Sequence, residues 1–225
     1  LKGQKFDGSN FITEAKKKGA VLILAEELNE EDVFSLKKGT ARKIYSLLLS
    51  SFHEKQPKQI VGVTGTNGKT SVVEFCRQIW GQASWKAASM GTLGIKTSTL
   101  SEKENLLKST QNLTTFEPSD LYEQLNYLAT KEISHLAIEA SSHGIDQCRL
   151  DGINFSGAVF TNLSHDHLDY HKSIENYYSS KKKLFTHLLN ENSSIAINLD
   201  DNYGVKLYQE LKKFNYLILT FGKKD

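Results

Sequence analysis

Apolar and polar residues follow two different patterns along this chain. Short apolar runs of strand character are separated by longer segments in which apolar residues recur every three or four positions, as on one face of a helix. This alternation predicts βαβ crossovers, and hence an α/β fold with a mostly parallel sheet whose ligands bind at the carboxyl ends of the strands. The predicted strands cover residues 20–25, 59–64, 134–140, 157–162, 194–198 and 216–220, and the predicted helices cover residues 40–52, 70–80, 120–130, 177–189 and 201–213.

A polar segment at residues 53–58 separates two parts of this pattern. It carries one of the two prolines of the chain and comes just before the strand predicted over residues 59–64. Polar segments with proline between periodic regions are typical of loops and linkers. We therefore predict a domain boundary that leaves residues 1–55 in a small α/β domain and residues 56–225 in a larger one.

The strand predicted over residues 59–64 runs into a glycine-rich loop and then directly into a helix. In a phosphate-binding loop, glycines allow backbone N–H groups to surround phosphate oxygens, and the helix N-terminus adds the positive end of its dipole. Lys69 is suited to neutralising β- and γ-phosphates, and the Thr70 hydroxyl to ligating Mg²⁺. The alternative is a glycine turn that only joins strand to helix. The predicted nucleotide-binding residues are Gly65, Thr66, Asn67, Gly68, Lys69, Thr70 and Ser71.

Glu139 lies near the end of the strand predicted over residues 134–140. Because parallel strands end at the same edge of a sheet, this carboxylate is expected across from Thr70. A carboxylate and a hydroxyl at that place are suited to the Mg²⁺ ion that bridges nucleotide phosphates. The alternative is a strand-end glutamate exposed to water.

Three histidines and two aspartates occur within residues 165–171, shortly after the strand predicted over residues 157–162. Such a cluster points to metal binding or acid–base chemistry, and His167 is the candidate ligand within it. Zinc is a competing interpretation, but the phosphate loop already implies Mg²⁺ and no cysteine lies nearby in the sequence. For His165 and His171, capping of the following helix or bonding to loop backbone is an alternative to a ligand role.

Four motifs in this sequence resemble the Mur ligase family. The loop TGTNGKT at residues 64–70 has fewer residues between its glycines than the general GxxxxGK[ST] pattern, and this form is shared by Mur ligases and folylpolyglutamate synthetases. Folylpolyglutamate synthetases lack the combination of SSHG and DHLDYH. The other motifs are LTT at residues 113–115, EASSHGIDQCR at residues 139–149 and TNLSHDHLDYH at residues 161–171.

The resemblance implies an ATP-dependent amide ligase of peptidoglycan precursor synthesis. The D-Glu carboxylate of UDP-N-acetylmuramoyl-L-Ala-D-Glu would be phosphorylated by ATP, and the acyl phosphate would be attacked by a diamino acid, either L-lysine or meso-diaminopimelate. A sibling Mur ligase and a folylpolyglutamate synthetase are alternatives with the same fold. A P-loop NTPase switch that signals to a partner protein is the alternative from another class, and an inactive interaction module is a third.

The resemblance also implies two Mg²⁺ ions and a lysine that is carbamylated by CO₂, because an anionic oxygen ligand suits a hard cation better than an amine. The family's spacing from His167 selects Lys181 within a run of three lysines, and Lys182 and Lys183 stay as alternatives. The metal ligands implied are Thr70, Glu139, His167 and Lys181, and the catalytic residues implied are Lys69, His167 and Lys181.

For the UDP-muramoyl dipeptide, the resemblance implies five binding residues. Arg149 could hold a carboxylate or phosphate in a bidentate fork, and the alternative for it is a surface salt bridge. Leu113 and Phe116 depart from the family's usual residues beside the two threonines. By the same resemblance, residues 1–55 are the C-terminal part of an N-terminal UDP-binding domain and residues 56–225 an incomplete central ATP-binding domain, with the C-terminal ligase domain absent. The implied substrate-binding residues are Thr114, Thr115, Ser141, Gln147 and Arg149.

Composition narrows the range of partners. The 225 residues carry a net charge of +2, which is too small for the broad basic face of a nucleic-acid-binding protein. Cys76 and Cys148 stand far apart, as expected for free thiols in a reducing compartment. No apolar run approaches the ~20 residues of a spanning helix, and the first residues do not resemble a signal peptide. We expect a cytoplasmic monomer with no membrane insertion and no nucleic-acid partner.

Overall fold

The computed structural model describes residues 7–30, 32–99 and 113–223. In the first part of the chain, a 3₁₀ turn at Gly8–Phe11 leads into a short helix and two strands that pair in parallel, with Ile23 opposite Val33. The N-terminal elements are α1 (Ile12–Lys17), β1 (Ile23–Glu26), β2 (Val33–Leu36) and α2 (Ala41–Phe52).

The remaining elements mostly alternate between strand and helix, except that β5 directly follows β4 and α7 directly follows α6. A π-helical turn at Leu184–Leu188 joins α7 to β8. The strands are β3 (Gln59–Thr64), β4 (Ala87–Gly91), β5 (Gly94–Thr97), β6 (His135–Glu139), β7 (Phe155–Phe160), β8 (Leu189–Asn198) and β9 (Leu217–Phe221). The helices are α3 (Lys69–Gln82), α4 (Pro118–Thr130), α5 (Ser142–Asp146), α6 (Leu168–His171), α7 (Ile174–Lys183) and α8 (Asn202–Leu211).

Strands β3 to β9 form one sheet of seven strands in the order β5-β4-β6-β3-β7-β8-β9. Every neighbouring pair is parallel except β4 and β5, which are antiparallel. The predicted α/β fold with a mostly parallel sheet is confirmed. Strand β3 lies in the middle, where Val63 pairs with Glu139 of β6 and Thr64 pairs with Phe160 of β7. The carboxyl ends of these three strands therefore meet at one edge.

Strands β2, β4 and β5 were absent from the sequence prediction. Strand β4 has the sequence AASMG and is buried along its whole length, so it shows neither polar alternation nor the branched residues typical of strands. Only packing against the rest of the sheet identifies β4. The helix predicted over residues 177–189 corresponds to α7 and the π-helical turn that continues it to Leu188, and only its last residue, Leu189, belongs to β8.

The core is built around α4 and the sheet face that it covers. Leu121, Leu125 and Leu128 recur at helical spacing on α4 and are fully buried. Full burial of one such side chain stabilises the fold by roughly 1.5–3 kcal/mol. The Tyr122 hydroxyl accepts a hydrogen bond from the Gly152 amide at 2.7 Å, which anchors the loop before β7. A smaller cluster of Val63, Val73 and Ala137 lies under α3.

Contacts also join the N-terminal part to this core. The Ser46 hydroxyl on α2 donates to the carbonyl of Cys148 at 2.5 Å. The segment predicted to be a linker contributes the side chain of Gln56. Its nitrogen donates to the carbonyl of Gly152 at 2.8 Å, and its oxygen accepts from the backbone amide of Asn154 at 3.2 Å. Within the described part of the chain, the structure contains no helix long and apolar enough to cross a membrane.

Candidate active site

The loop between β3 and α3 depends on two glycines with positive φ. Gly68, at φ +85°, is the residue before the first turn of α3. Gly65 has φ +149°, and a Cβ atom there would lie 1.9 Å from the Thr161 hydroxyl oxygen. Side chains larger than hydrogen are therefore excluded at Gly65 by both backbone conformation and space. This geometry is what the phosphate-loop prediction requires.

Strand β7 supports the loop from the side. The Thr66 amide donates to the carbonyl of Asn162 at 2.9 Å, and the Asn67 amide donates to the Asn162 side-chain oxygen at 3.0 Å. The Thr161 hydroxyl donates to the carbonyl of Asn67 at 2.6 Å. Thr161 and Asn162 are loop-supporting residues that the sequence analysis missed, because it placed both inside the strand predicted over residues 157–162, whereas β7 ends at Phe160.

Lys69 begins α3 and folds back over the loop. Its amine donates to the carbonyl oxygens of Gly65 at 3.0 Å and Thr66 at 2.8 Å. Burial lowers the pKa of Lys69, and the negative charges of Glu139 and Asp166 oppose this shift. The Lys69 amine is thus held beside the N-terminus of α3. A phosphate bound there would contact both the positive amine and the positive end of the helix dipole.

Glu139 and Thr70 face each other as predicted from strand order. The buried Glu139 carboxylate accepts from the Thr70 hydroxyl at 3.0 Å and from the Thr92 amide at 2.9 Å. Gly91 makes room for this carboxylate, since a Cβ at Gly91 would lie 2.2 Å from a Glu139 oxygen. Thr92, missed by the sequence analysis, holds the carboxylate toward the loop. One hydroxyl and one carboxylate beside a phosphate loop fit Mg²⁺, which binds proteins through few side chains together with substrate phosphates.

Lys181 is the lysine of its run that points into the site. It is 1% exposed, and its amine donates to the carbonyl of Gly65 at 2.7 Å. Burial lowers its pKa well below the ordinary value, the charge of Lys69 adds to the shift, and Asp166 opposes it. Its two neighbours point elsewhere, because successive helical residues are rotated by about 100°: Lys182 pairs with Glu210 at 3.0 Å and Lys183 with Asp146 at 2.9 Å.

His167 lies at the mouth of this site. It has φ +52° and precedes α6, and about half of its side chain is exposed. Its Nε2 atom lies 3.6 Å from an Asp166 carboxylate oxygen, and its ring is 4.9 Å from that of His143 and 6.1 Å from that of Tyr177. Tyr177 also contacts Lys181, whose amine is 4.4 Å from the ring centre. The ring of Tyr177 is thus near both predicted ligands.

Within the described residues, no three or more His, Cys, Asp or Glu side chains are grouped closely enough to hold a metal ion. His171 instead has a structural contact, since its buried ring shares a hydrogen bond with the Ser142 hydroxyl at 2.9 Å. Burial and the charge of His143 lower the pKa of His171. His165 is exposed at the surface.

The two threonines predicted to bind the acceptor differ in their availability. Thr115 is buried, and its hydroxyl donates to the carbonyl of Glu139 and accepts from the Ser141 amide, both at 2.9 Å. The Ser141 hydroxyl in turn accepts from the Gly144 amide at 3.1 Å and caps α5. The Thr114 hydroxyl accepts from that of Thr92 at 3.1 Å at the exposed edge. Thr115 therefore holds the loop after β6, and Thr114 is the better-placed contact for a ligand.

Arg149 is nearly buried and is surrounded by acceptors from the protein itself. Its guanidinium donates to the carbonyl of Thr115 at 2.7 Å and to the Gln147 side-chain oxygen at 2.7 and 3.2 Å. It also pairs with the Glu117 carboxylate at 2.8 Å. The fork predicted for the substrate is thus directed at protein groups in this structure. Glu117 was not singled out from the sequence.

A cavity of about 460 Å³ lies apart from the phosphate loop, in the N-terminal part of the chain. Its walls come from the turn before α1, the end of β1 and the start of α2. Residues lining it include Asp7, Ser9, Glu26, Lys38 and Arg42.

Comparisons with known proteins identify relatives of this chain. The sequence model of the family described as Mur ligase middle domain matches residues 63–225. The chain is 39% identical over 227 residues to the UDP-N-acetylmuramoyl-L-alanyl-D-glutamate–2,6-diaminopimelate ligase of Brucella melitensis, covering 100% of this chain and 45% of that protein. It is 46% identical over 202 residues to the Caulobacter vibrioides ligase of the same name, covering 89% and 41%.

A solved structure with that ligase name superposes with a TM-score of 0.77 at 28% identity. The match covers 96% of this chain and 43% of the solved chain. The chain thus spans somewhat under half the length of the relatives that it matches.

Proposed function

Because this chain belongs to the Mur ligase family, we propose that the full-length protein adds a diamino acid to the D-Glu of UDP-N-acetylmuramoyl-L-Ala-D-Glu at the expense of ATP. The observation that carries this proposal is the convergence of Lys69 and the buried Lys181 on the Gly65 carbonyl, beside the Thr70–Glu139 pair. A simple nucleotide switch has no use for a second, buried lysine at its phosphate loop.

In the proposed reaction, the phosphate loop and the N-terminus of α3 bind the ATP phosphates. The D-Glu carboxylate attacks the γ-phosphorus to give an acyl phosphate, and ADP leaves. Lys69 stabilises the negative charge that develops on the transferred phosphoryl group. The amine of the diamino acid then attacks the acyl carbon, the new amide forms, and phosphate leaves. No side chain of the protein acts as a covalent nucleophile.

Mg²⁺ would supply further positive charge to the phosphates, held at one position by Thr70 and Glu139 and at a second by Glu139, His167 and carbamylated Lys181. The environment of Lys181 supports its modification. A neutral amine adds CO₂ to give a carbamate and one proton, and burial beside Lys69 favours the neutral amine. Lys182 and Lys183 each pair with a carboxylate at the outer side of the helix instead of facing the loop.

The relatives support the choice of the diamino acid and of the UDP-muramoyl dipeptide. Those quoted above are named for 2,6-diaminopimelate, and we extend that choice to this protein over L-lysine. The UDP-muramoyl dipeptide would lie over Thr114, Ser141, Gln147 and Arg149, with Thr115 holding their loop. ATP and a UDP-linked precursor suit a cytoplasmic location, and the proposal takes the protein to be a monomer. The division into an N-terminal UDP-binding part at residues 1–55 and a central ATP-binding part at residues 56–225 belongs to the same proposal.

The test is phosphate release from ATP by the full-length protein. The UDP-muramoyl monopeptide, dipeptide and tripeptide would each be supplied with either meso-diaminopimelate or L-lysine, and products identified by mass. We expect turnover with the dipeptide and diaminopimelate only. In parallel reactions, turnover of the monopeptide with D-glutamate or of the tripeptide with D-alanyl-D-alanine would assign a sibling ligase, and turnover of a folate with glutamate would assign a folylpolyglutamate synthetase. ATP hydrolysis indifferent to every acceptor would contradict the ligase assignment and favour a nucleotide switch.

A further inference from the structure

Arg149 has little capacity left for a ligand. Its Nε atom donates to Gln147, Nη1 donates to the Thr115 carbonyl, and Nη2 contacts both Gln147 and the Glu117 carboxylate. A guanidinium offers five N–H groups in a rigid fork, and these contacts use most of them. An acidic ligand can therefore gain a two-point contact with Arg149 only by displacing a protein acceptor.

Glu117 is the partner best able to leave. The Thr115 carbonyl belongs to a buried backbone segment, and Gln147 contacts the guanidinium at two nitrogen atoms. Glu117 contacts one nitrogen, and 35% of its side chain is exposed, against 10% for Arg149. A departing Glu117 carboxylate would move into water with little desolvation to overcome, whereas the arginine would stay where it is.

Glu117 lies where its carboxylate would also be stabilised after it leaves Arg149. Glu117 immediately precedes α4, yet its side chain makes no capping hydrogen bond there, and Pro118 follows it at the first helical position. The N-terminus of a helix carries the positive end of the helix dipole and stabilises a nearby carboxylate. A carboxylate released from Arg149 is thus favoured beside the start of α4.

We infer that Glu117 is a specificity-determining residue that occupies Arg149 until an anionic group of the acceptor takes its place. The inference rests on the proposed function, since it takes the acceptor to be the acidic UDP-muramoyl dipeptide. Glu117 keeps the buried guanidinium paired in the free protein, where an unpaired buried charge would be unfavourable. It also competes with the ligand, so that only acceptors with a correctly placed anion gain the contact.

The experiment compares acceptor KM and kcat for the wild-type full-length enzyme and Glu117→Gln. Glutamine keeps a hydrogen-bond acceptor for Arg149 but removes the competing charge. We expect KM for the dipeptide to fall about 3- to 5-fold, which is the scale of a partly exposed ion pair, with kcat unchanged. Glu123→Gln is the matched control, because Glu123 lies exposed on the same helix, and it should leave both constants unchanged.

Inhibition by UDP, which carries the phosphates but no carboxylate, identifies the anion. Tighter inhibition of Glu117→Gln than of wild type assigns a phosphate of the UDP group, and unchanged inhibition alongside a lower dipeptide KM assigns a D-Glu carboxylate. A dipeptide KM that stays constant or rises in Glu117→Gln would overturn the inference and leave Glu117 as a support of Arg149. Failure of the wild-type enzyme to use any UDP-muramoyl peptide would instead overturn the proposed function, and the inference with it.

Discussion

The amines of Lys69 and Lys181 donate to the same carbonyl oxygen, that of Gly65, at 3.0 and 2.7 Å. Lys69 arrives from the loop itself, and Lys181 arrives from α7, more than a hundred residues later in the chain. Two ammonium groups sharing one acceptor repel each other, and burial adds to the cost of charging both. A charged Lys69 amine therefore favours the neutral form of the Lys181 amine.

Lys181→Met should abolish ligase turnover without destabilising the protein. Methionine fills similar space and removes a buried amine, so the unfolding temperature should stay constant or rise. Activity should fall at least about 100-fold, on the scale of losing one group that stabilises transition-state charge. Turnover and thermal unfolding would be measured together, and ¹³C NMR with labelled bicarbonate would report the carbamate.

Lys182→Met and Lys183→Met are the matched controls for this series. Each removes a lysine that pairs with a surface-accessible carboxylate, so each should keep turnover and the carbamate signal. Loss of the carbamate signal in either control, with retention in Lys181→Met, would contradict the assignment of Lys181.

Gly65→Ala should weaken nucleotide binding by at least about tenfold. The new Cβ would overlap the Thr161 hydroxyl, which also holds the Asn67 carbonyl, so the loop must open to admit it. Calorimetric titration with ADP measures this. Gly94→Ala is the control, because Gly94 also has positive φ, at +79°, but has open space around it. Equal ADP affinity in the two variants would show that the close approach at Gly65 is unimportant.

Protein stability should fall as the pH decreases below about 6.5, partly because of His171. Burial, followed by the charge of His143, lowers the pKa of His171 from its ordinary value of 6.5. The unfolded chain therefore binds the proton at a higher pH than the folded protein does. Stability is fully present above the unfolded pKa and is lost as the pH falls from there toward the folded pKa.

Urea unfolding midpoints between about pH 8 and pH 5.5 would measure this dependence. His171→Gln should lower stability at high pH, since the contact with Ser142 is altered, and should flatten the dependence on pH. A residual slope from His143 is expected, because its pKa is also lowered by burial. An identical slope in the variant and the wild type would exclude His171 as a contributor.

Ser84→Gly should stabilise the protein by about 0.5 kcal/mol. Ser84 follows α3 with φ +64°, a conformation that costs a non-glycine residue roughly 1–2 kcal/mol, part of which is offset by the greater flexibility of glycine in the unfolded chain. Ala83→Gly is the control. Ala83 has φ −77°, so glycine there should only destabilise, by up to about 1 kcal/mol. Chemical denaturation of both variants separates backbone strain from any general effect of glycine in this turn.

Local sequence was sufficient for the phosphate loop and its surroundings. The apolar run of β3, two glycines and the periodicity of α3 are contiguous, so pattern alone predicts strand, loop and helix in order. The approach of Glu139 to Thr70 was also predictable. Parallel strands end at a common edge, and both residues lie beside such an end.

Three features of the site depended on contacts between distant segments. Among three adjacent lysines, helical rotation and the packing of Tyr177 decide that Lys181 faces the loop. Burial of Thr115 and the pairing of Arg149 with Glu117 depend on how the segment before α4 meets the loop after β6. Strand β4 has no sequence pattern of its own, because it is enclosed on both faces.

The sequence by itself thus determined the alternating α/β architecture, the glycine-rich loop and the strand ends at which the candidate site lies. These follow from periodicity and steric rules that act over a few residues. Tertiary structure alone decided which lysine is desolvated, which threonine is buried and which acceptors surround Arg149. Burial and charge pairing arise from groups brought together across the fold, and their energies depend on a local dielectric environment that exists only after packing.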